Sequence, residues 1–293
     1  MVACPTTVAN DTIVFNRCRF VEGVGSFQTP DPAKGVRGGG AIRIGGESTS
    51  RQTNWWCFQC TFDGFYRSGI AVQRGVYGVH VLSCLFRNTS AGTGSCLDFE
   101  GTGEDSDGEC VIVGNRFEQR KGSNGVTMSG VCGPLPDYRT IFAHNICDDC
   151  TVHMADVDGL LIQGNMIVGD SHATGPALHI QGLGDNLRIV DNYLELTAAA
   201  VQSRVEIDHV FNITFSGNRV TYHGSAEGAS GVHDVSTLVQ ACGSFCDNAF
   251  TAAFRDDSAM KIGAILVNSN RLHRCKWVLS TVRPLADWAA GPR

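Results

Sequence analysis

The 293-residue chain is short of proline, with 8 residues, and of charge, with 18% charged residues and a net charge of -6. It therefore lacks the basic face that nucleic-acid binding needs. It also lacks any uninterrupted apolar run long enough to cross a bilayer as a helix. No stretch shows the 3.6-residue apolar spacing of an amphipathic helix. The start, MVACPTTVAND, lacks a basic stretch followed by an apolar core, so no secretory signal is read there. A zinc site is missing its partners as well. Cys57/Cys60 and Cys147/Cys150 are CxxC pairs, but they lie far apart with no HxxxH near either. The remaining abundance is unusual: 13 cysteines, an odd number in a chain too long for a small disulfide scaffold, and 35 glycines.

What is present is a repeated phrase, apolar-x-x-Asn-x-apolar. It aligns Asn115, Asn145, Asn165, Asn192, Asn218, Asn248 and Asn270 in one column, 20 to 30 residues apart. Two places on stand Phe117, Cys147, Ile167, Leu194, Val220, Phe250 and Leu272. Earlier copies carry Cys18, Cys60 and Cys84 in the Asn position, followed by Phe20, Phe62 and Phe86, which makes ten copies. Between them runs a second phrase with strict alternation. Its inward pairs are Ile42/Ile44, Ile70/Val72, Leu97/Phe99, Val126/Met128, Val152/Met154 and Leu178/Ile180.

A period of about 26 residues, two short β segments per period and glycine at the corners are the pattern of a stacked solenoid. The expected fold is all-β: one right-handed parallel β-helix of about ten rungs. The rungs span about 12–281 of a single domain (1–293), with an inserted loop at 22–40 and a C-terminal cap or tail at 282–293. A β-sandwich accounts for neither the Asn column nor the two-part period. Stacked rungs lie about 4.8 Å apart, so each buried Asn can bond to the next. Cys18, Cys60 and Cys84 are then read as buried thiols filling the ladder, with a Cys60–Cys84 disulfide as the alternative.

The I-x-G-N-x-F phrase and the glycine-bounded second strand resemble the pectin-lyase-like superfamily of right-handed β-helices over about residues 12 to 281. That superfamily holds polysaccharide lyases, glycoside hydrolases, epimerases and phage tailspike shafts. The resemblance implies a groove along one face that takes an extended polysaccharide, and an extracellular or virion-surface setting. It does not choose a reaction. The polygalacturonase phrases NTDG, GHG and RIK and the pectate-lyase phrase WIDH are absent, and DSH at 170–172 only echoes the epimerase DPH.

Residues between the inward pairs of the second phrase face outward. One outward column reads Arg43, Ala71, Asp98, Thr127, His153, His179, Gln202; the next reads Gly45, Gln73, Glu100, Ser129, Ala155, Gln181, Arg204. His153 and His179 become vertical neighbours. Imidazoles titrate near neutral pH and serve as acid or base. Arg204 is placed to neutralise a uronate carboxylate, and Asp98 with Glu100 to form the carboxyl pair of a hydrolase. Arg43, Gln73, Gln181 and Gln202, with Lys34 and Arg37 of the inserted loop, are read as substrate-binding. A plain solvated face gives the same list. No metal ligand set or cofactor is read, apart from a weak Ca²⁺ reading of the acidic loop at 101–109.

The expected function is a carbohydrate-active β-helix that binds an extended polysaccharide and, as an enzyme, cleaves it by lyase or hydrolase chemistry. The alternative is a non-enzymatic structural or adhesive β-helix, such as a viral spike or virion surface component. Such a component implies a homotrimer or a second chain stacked on an uncapped end. Nucleic acid and membrane are not among the expected partners.

Overall fold

The structure is a computed structural model. It describes residues 2–3, 12–21, 40–44, 54–65, 68–73, 76, 78–87, 95–100, 109–118, 124–129, 140–155, 159–168, 177–181, 186–197, 205–223, 235–252, 259–263, 266–268, 271–273 and 276–279. Among these residues there is no helix, and strands pair in parallel with strands of the neighbouring coil. The chain is an all-β parallel solenoid.

Each coil contributes three strands, where the sequence pattern suggested two. The glycine-bounded phrase forms a first face, as in Leu178–Gln181. The Asn phrase itself is bent into two strands, for example Leu160–Gln163 on a second face and Met166–Val168 on a third. The cause is the residue just before the column. Arg17, Gln59, Ser83, Gly114, His144, Gly164, Asp191, Gly217 and Asp247 all have φ between 51° and 70°, from 52° at Gln59 to 69° at Gly114. One left-handed residue turns the chain through the corner, a conformation that suits glycine or aspartate best. At Gly164 the glycine is also required by space: a Cβ there would lie 2.7 Å from His144 Nδ1 of the coil before.

The third face is one ten-stranded sheet. The first and second faces join into one nineteen-stranded sheet through the long strands Val205–Ser216 and Val235–Cys246, which run through the corner on β-bulges. The core is the interior of the coil stack. The inward pairs expected on the first face are buried wherever their side chains are described: Ile42/Ile44, Ile70/Val72, Leu97/Phe99, Val126, Val152/Met154 and Leu178/Ile180. Inside the third face, Phe20, Phe62, Phe86 and Phe117 stack ring on ring, 4.9, 4.6 and 4.9 Å between centroids.

Asn115, Asn145, Asn165, Asn192, Asn218 and Asn248 are buried in one ladder; Asn270 lies outside the described residues. From Asn145 upward, each amide oxygen takes the backbone N–H and the side-chain N–H of the Asn below, as Asn165 Oδ1 does from Asn145 at 2.9 and 3.0 Å. Each amide also donates to a carbonyl of the coil below, as Asn165 Nδ2 does to Phe142 O at 2.9 Å. The cysteines continue this bonding pattern. Cys84 N–H donates to Asn115 Oδ1 at 2.8 Å, and Cys60 N–H to Cys84 Sγ at 3.4 Å. The Cys84 thiol donates to Cys57 O and the Cys60 thiol to Phe15 O, both at 3.3 Å. Both are free thiols. Burial pushes Cys84 up to about 12 and raises Cys57 and Cys60, so these sulfurs stay protonated and able to donate.

Candidate functional site

Strand register sets the outward column of the first face. Arg43 pairs with Ala71, Ala71 with Asp98, Asp98 with Thr127, Thr127 with His153 and His153 with His179. Neighbours differ by one coil, about 4.8 Å, so Asp98 stands about 10 Å below His153. The neighbouring column runs Gln73, Glu100, Ser129, Ala155, Gln181 in the same register.

Above His179 the order differs from the sequence reading. The next strand begins at Val205, and Glu206 pairs with His179. Val205 and Ile207 are the buried inward pair of that coil. Residues 198–204, which the sequence pattern reads as the next strand, lie outside the described residues. Gln202, Arg204, Lys34 and Arg37 lie outside the described residues, as do the acidic residues of 101–108.

His153 and His179 form a stacked pair, with ring centroids 4.7 Å apart and ring planes 12° from parallel. Both are half-buried. His153 Nε2 is buried and has no hydrogen-bond partner. Burial, and secondarily the neighbouring His179, pull the His153 pKa below the usual imidazole value. The lowered pKa favours the neutral ring, whose unpartnered Nε2 is shielded from solvent. The parallel rings do not aim their in-plane lone pairs at a common point, so the pair is ill-suited to share one metal ion. Among the described residues no group of three or more His, Cys, Asp or Glu is arranged to hold a metal.

Asp98 differs from a solvated surface carboxylate: it is only 8% exposed. The plain-surface reading fails for this residue. Arg43, at the lower end of the column, is exposed.

The outward sides of the other faces contrast with this polar column. On the third face, Asp63 bridges Arg87 at 2.8 Å, and Asp148 approaches Arg116 at 3.4 Å. On the second face the outward residues are largely apolar, among them Trp56, Val111, Ile141 and Leu161.

His153 also predicts a pH response. Its folded pKa is below its unfolded one, so the fold favours the neutral ring. That stabilisation is fully present above the unfolded value, about 6.5, and is lost as pH falls below it. Thermal melts from pH 8 to pH 5 should show stability falling through this window. His153→Gln should flatten that part of the fall. An unchanged slope in the variant would place the titration elsewhere, for instance at His80, whose pKa burial also lowers.

Comparison with family models, curated proteins and solved structures finds no match to this chain.

Proposed function

We propose that the chain is a right-handed, pectin-lyase-like β-helix of about ten rungs that binds an extended polysaccharide along its first face and cleaves it by elimination. The rung count is supported by the ten strands of the third face. The observation that carries the function is the His153/His179 stack, half-buried in the middle of a largely polar column. A linear sugar chain laid along the solenoid axis meets a polar side chain every 4.8 Å or so.

In the elimination, neutral His153, its ring turned to bring the shielded Nε2 to the surface, takes the proton from the carbon beside a uronate carboxylate. The electron pair left behind forms the new double bond as the glycosidic C–O bond breaks, and the leaving oxygen takes up a proton. Asp98 and Glu100 fit hydrolysis less well, because the Asp98 carboxylate is enclosed and a hydrolase needs both carboxyl groups at the sugar. His179 is the neighbouring group for gripping a hydroxyl, and the strand positions of Gln73, Gln181 and Glu206 fall in the same two columns.

A second reading is a non-enzymatic structural or adhesive solenoid, such as a spike or virion surface component. The apolar outward side of the second face favours it, since a free-standing enzyme has no use for one.

The test is a depolymerisation screen on acidic and neutral polysaccharides, with and without Ca²⁺, reading reducing ends and unsaturated-sugar absorbance together. Both signals should appear on a uronate polymer, and His153→Ala should slow the reaction by roughly 10²- to 10⁴-fold. Reducing ends without absorbance would move the chemistry to hydrolysis. Silence across the panel, with no binding, sinks the enzyme and leaves the structural solenoid.

A further inference from the structure

The first face alternates inward apolar with largely polar outward residues, and the third mixes ion pairs with single apolar residues such as Val21 and Met166 on its outer side, while the second is apolar on both sides over five coils. Its strands read WWCF, VHVL, VIV, TIFA and LLIQ in successive coils. Near-continuous apolar runs belong to parallel strands that are covered on both sides. The inner side is covered by the core. On the outer side, register stacks Val14, Trp56, His80, Val111, Ile141 and Leu161 in one line. Phe58, Leu82 and Val113 stack beside it. Val14 is 59% exposed and Phe58 37%. Among the described residues no strand lies over this stripe.

The stripe has a definite upper end. Above Leu161 the line continues with exposed Arg188, then Thr214 and Ser244. Trp56 and His80 stack face to face at 3.8 Å along the solenoid axis. Their flat faces are used on each other, so they present edges outward. That arrangement gives no platform for sugar rings but suits close packing against another apolar surface.

We propose that this stripe is a self-association face, which a second copy of the chain covers through a two-fold contact. Six rows spaced about 4.8 Å and two outward residues wide give a flat footprint of about 400 Å², the size of the largest apolar patch on an ordinary monomer, which is often functional. Asn16 and Gln163 close the second column at its two ends, and about 400 Å² per partner makes this a small, weak interface, half the roughly 800 Å² of a standard complex, so the dimer forms only at high protein concentration. The stripe is ridged at the row spacing of a β-solenoid, and a second copy brings the same spacing. It is also tapered: Trp56 and Phe58 are bulky at its lower end, Ala143 and Leu161 slimmer at its upper end. A two-fold axis across the stripe sets the bulky end of one copy against the slim end of the other, so one patch complements itself. The polar column on the first face takes no part in this contact, and the proposal does not rest on the polysaccharide reading.

Sedimentation of the full chain at high micromolar concentration tests it. The wild type should sediment as a dimer. Ile141→Glu, and independently Leu161→Arg, should raise the dimer dissociation constant by roughly a hundredfold, because each buries an unpaired charge. Thr214→Glu, on the same face beyond the stripe, should leave the dimer intact. Far-UV circular dichroism and melting of each variant as monomer must match the wild type, and with two variants of opposite charge a folding defect in one does not decide the outcome. A monomeric wild type overturns the proposal. So does a dimer untouched by both stripe variants, and a trimer overturns the two-fold arrangement.

Discussion

Asn165→Ala should lower the stability of the solenoid by about 4 kcal/mol, measured by urea denaturation. The alanine removes four hydrogen bonds at once. Asn165 Oδ1 accepts from Asn145 N and Asn145 Nδ2, and Asn165 Nδ2 donates to Phe142 O and Asn192 Oδ1. Not all of these partners are left empty. Asn145 Nδ2 keeps Ile112 O, and Asn192 Oδ1 keeps the Asn165 backbone N–H. The Asn145 N–H and Phe142 O lose their bonds to Asn165. A buried polar group without a partner costs about 1–3 kcal/mol, and the cavity adds to that. Asn165→Cys should recover roughly half of the loss, about 2 kcal/mol. A thiol already does this work at Cys84, accepting the Cys60 N–H and donating to Cys57 O. Asn165→Asp should be at least as damaging as alanine, because it loses the amide donors and brings a carboxylate next to Asn192 Oδ1. A loss below about 1 kcal/mol for Asn165→Ala would mean that the ladder is ornament on a fold held by its apolar core alone.

That ladder was also the most legible part of the sequence, for a physical reason. Each step must both accept from the step below and donate to it, so one residue type recurs, and cysteine is among the few that can stand in. The inward pairs of the first face were legible because a continuous core demands the same inward positions from every coil. The third strand of each coil was not, because the corner is written in the backbone. Gly114, Gly164, Gly217, Asp191 and Asp247 advertise a left-handed residue, but Arg17, Gln59, Ser83 and His144 take the same φ without announcing it. The stack of His153 on His179 follows from counting along alternating strands. Glu206 was missed because the apolar run AAAV at 198–201 draws the reading away from the V-E-I alternation of residues 205–207. The enclosure of Asp98 depends on what packs around one position, which no local pattern records. The apolar outer side of the second face was written plainly in TIFA and LLIQ, but within the Asn phrase it reads as core.

Phe86→Ala should cost about 4 kcal/mol and should also split the unfolding transition. Phe86 is fully buried and stands third in the ring stack, 4.6 Å from Phe62 below and 4.9 Å from Phe117 above. It also fills the space left by a glycine on the opposite wall: a Cβ at Gly69 would lie 2.8 Å from Phe86 Cδ1. Removing the ring opens a cavity between coils that no neighbour can close, since both flanking rings are held in their own rows. A solenoid is nearly one-dimensional, so each coil is stabilised mainly by the coils directly above and below. Weakening one junction lets the lower coils unfold ahead of the upper ones. Trp55 and Trp56 report on those lower coils. In a background carrying Trp277→Phe and Trp288→Phe, their fluorescence should change at lower urea than the far-UV circular dichroism, whereas with Phe86 intact the two should coincide. Phe86→Leu should cost only about 1–2 kcal/mol and keep a single transition, because Ile167, Leu194 and Val220 occupy the same column further up with full burial. Coincident transitions in Phe86→Ala would show that the solenoid unfolds as one unit, with its cohesion carried by the Asn ladder and the strand hydrogen bonds rather than by the ring stack.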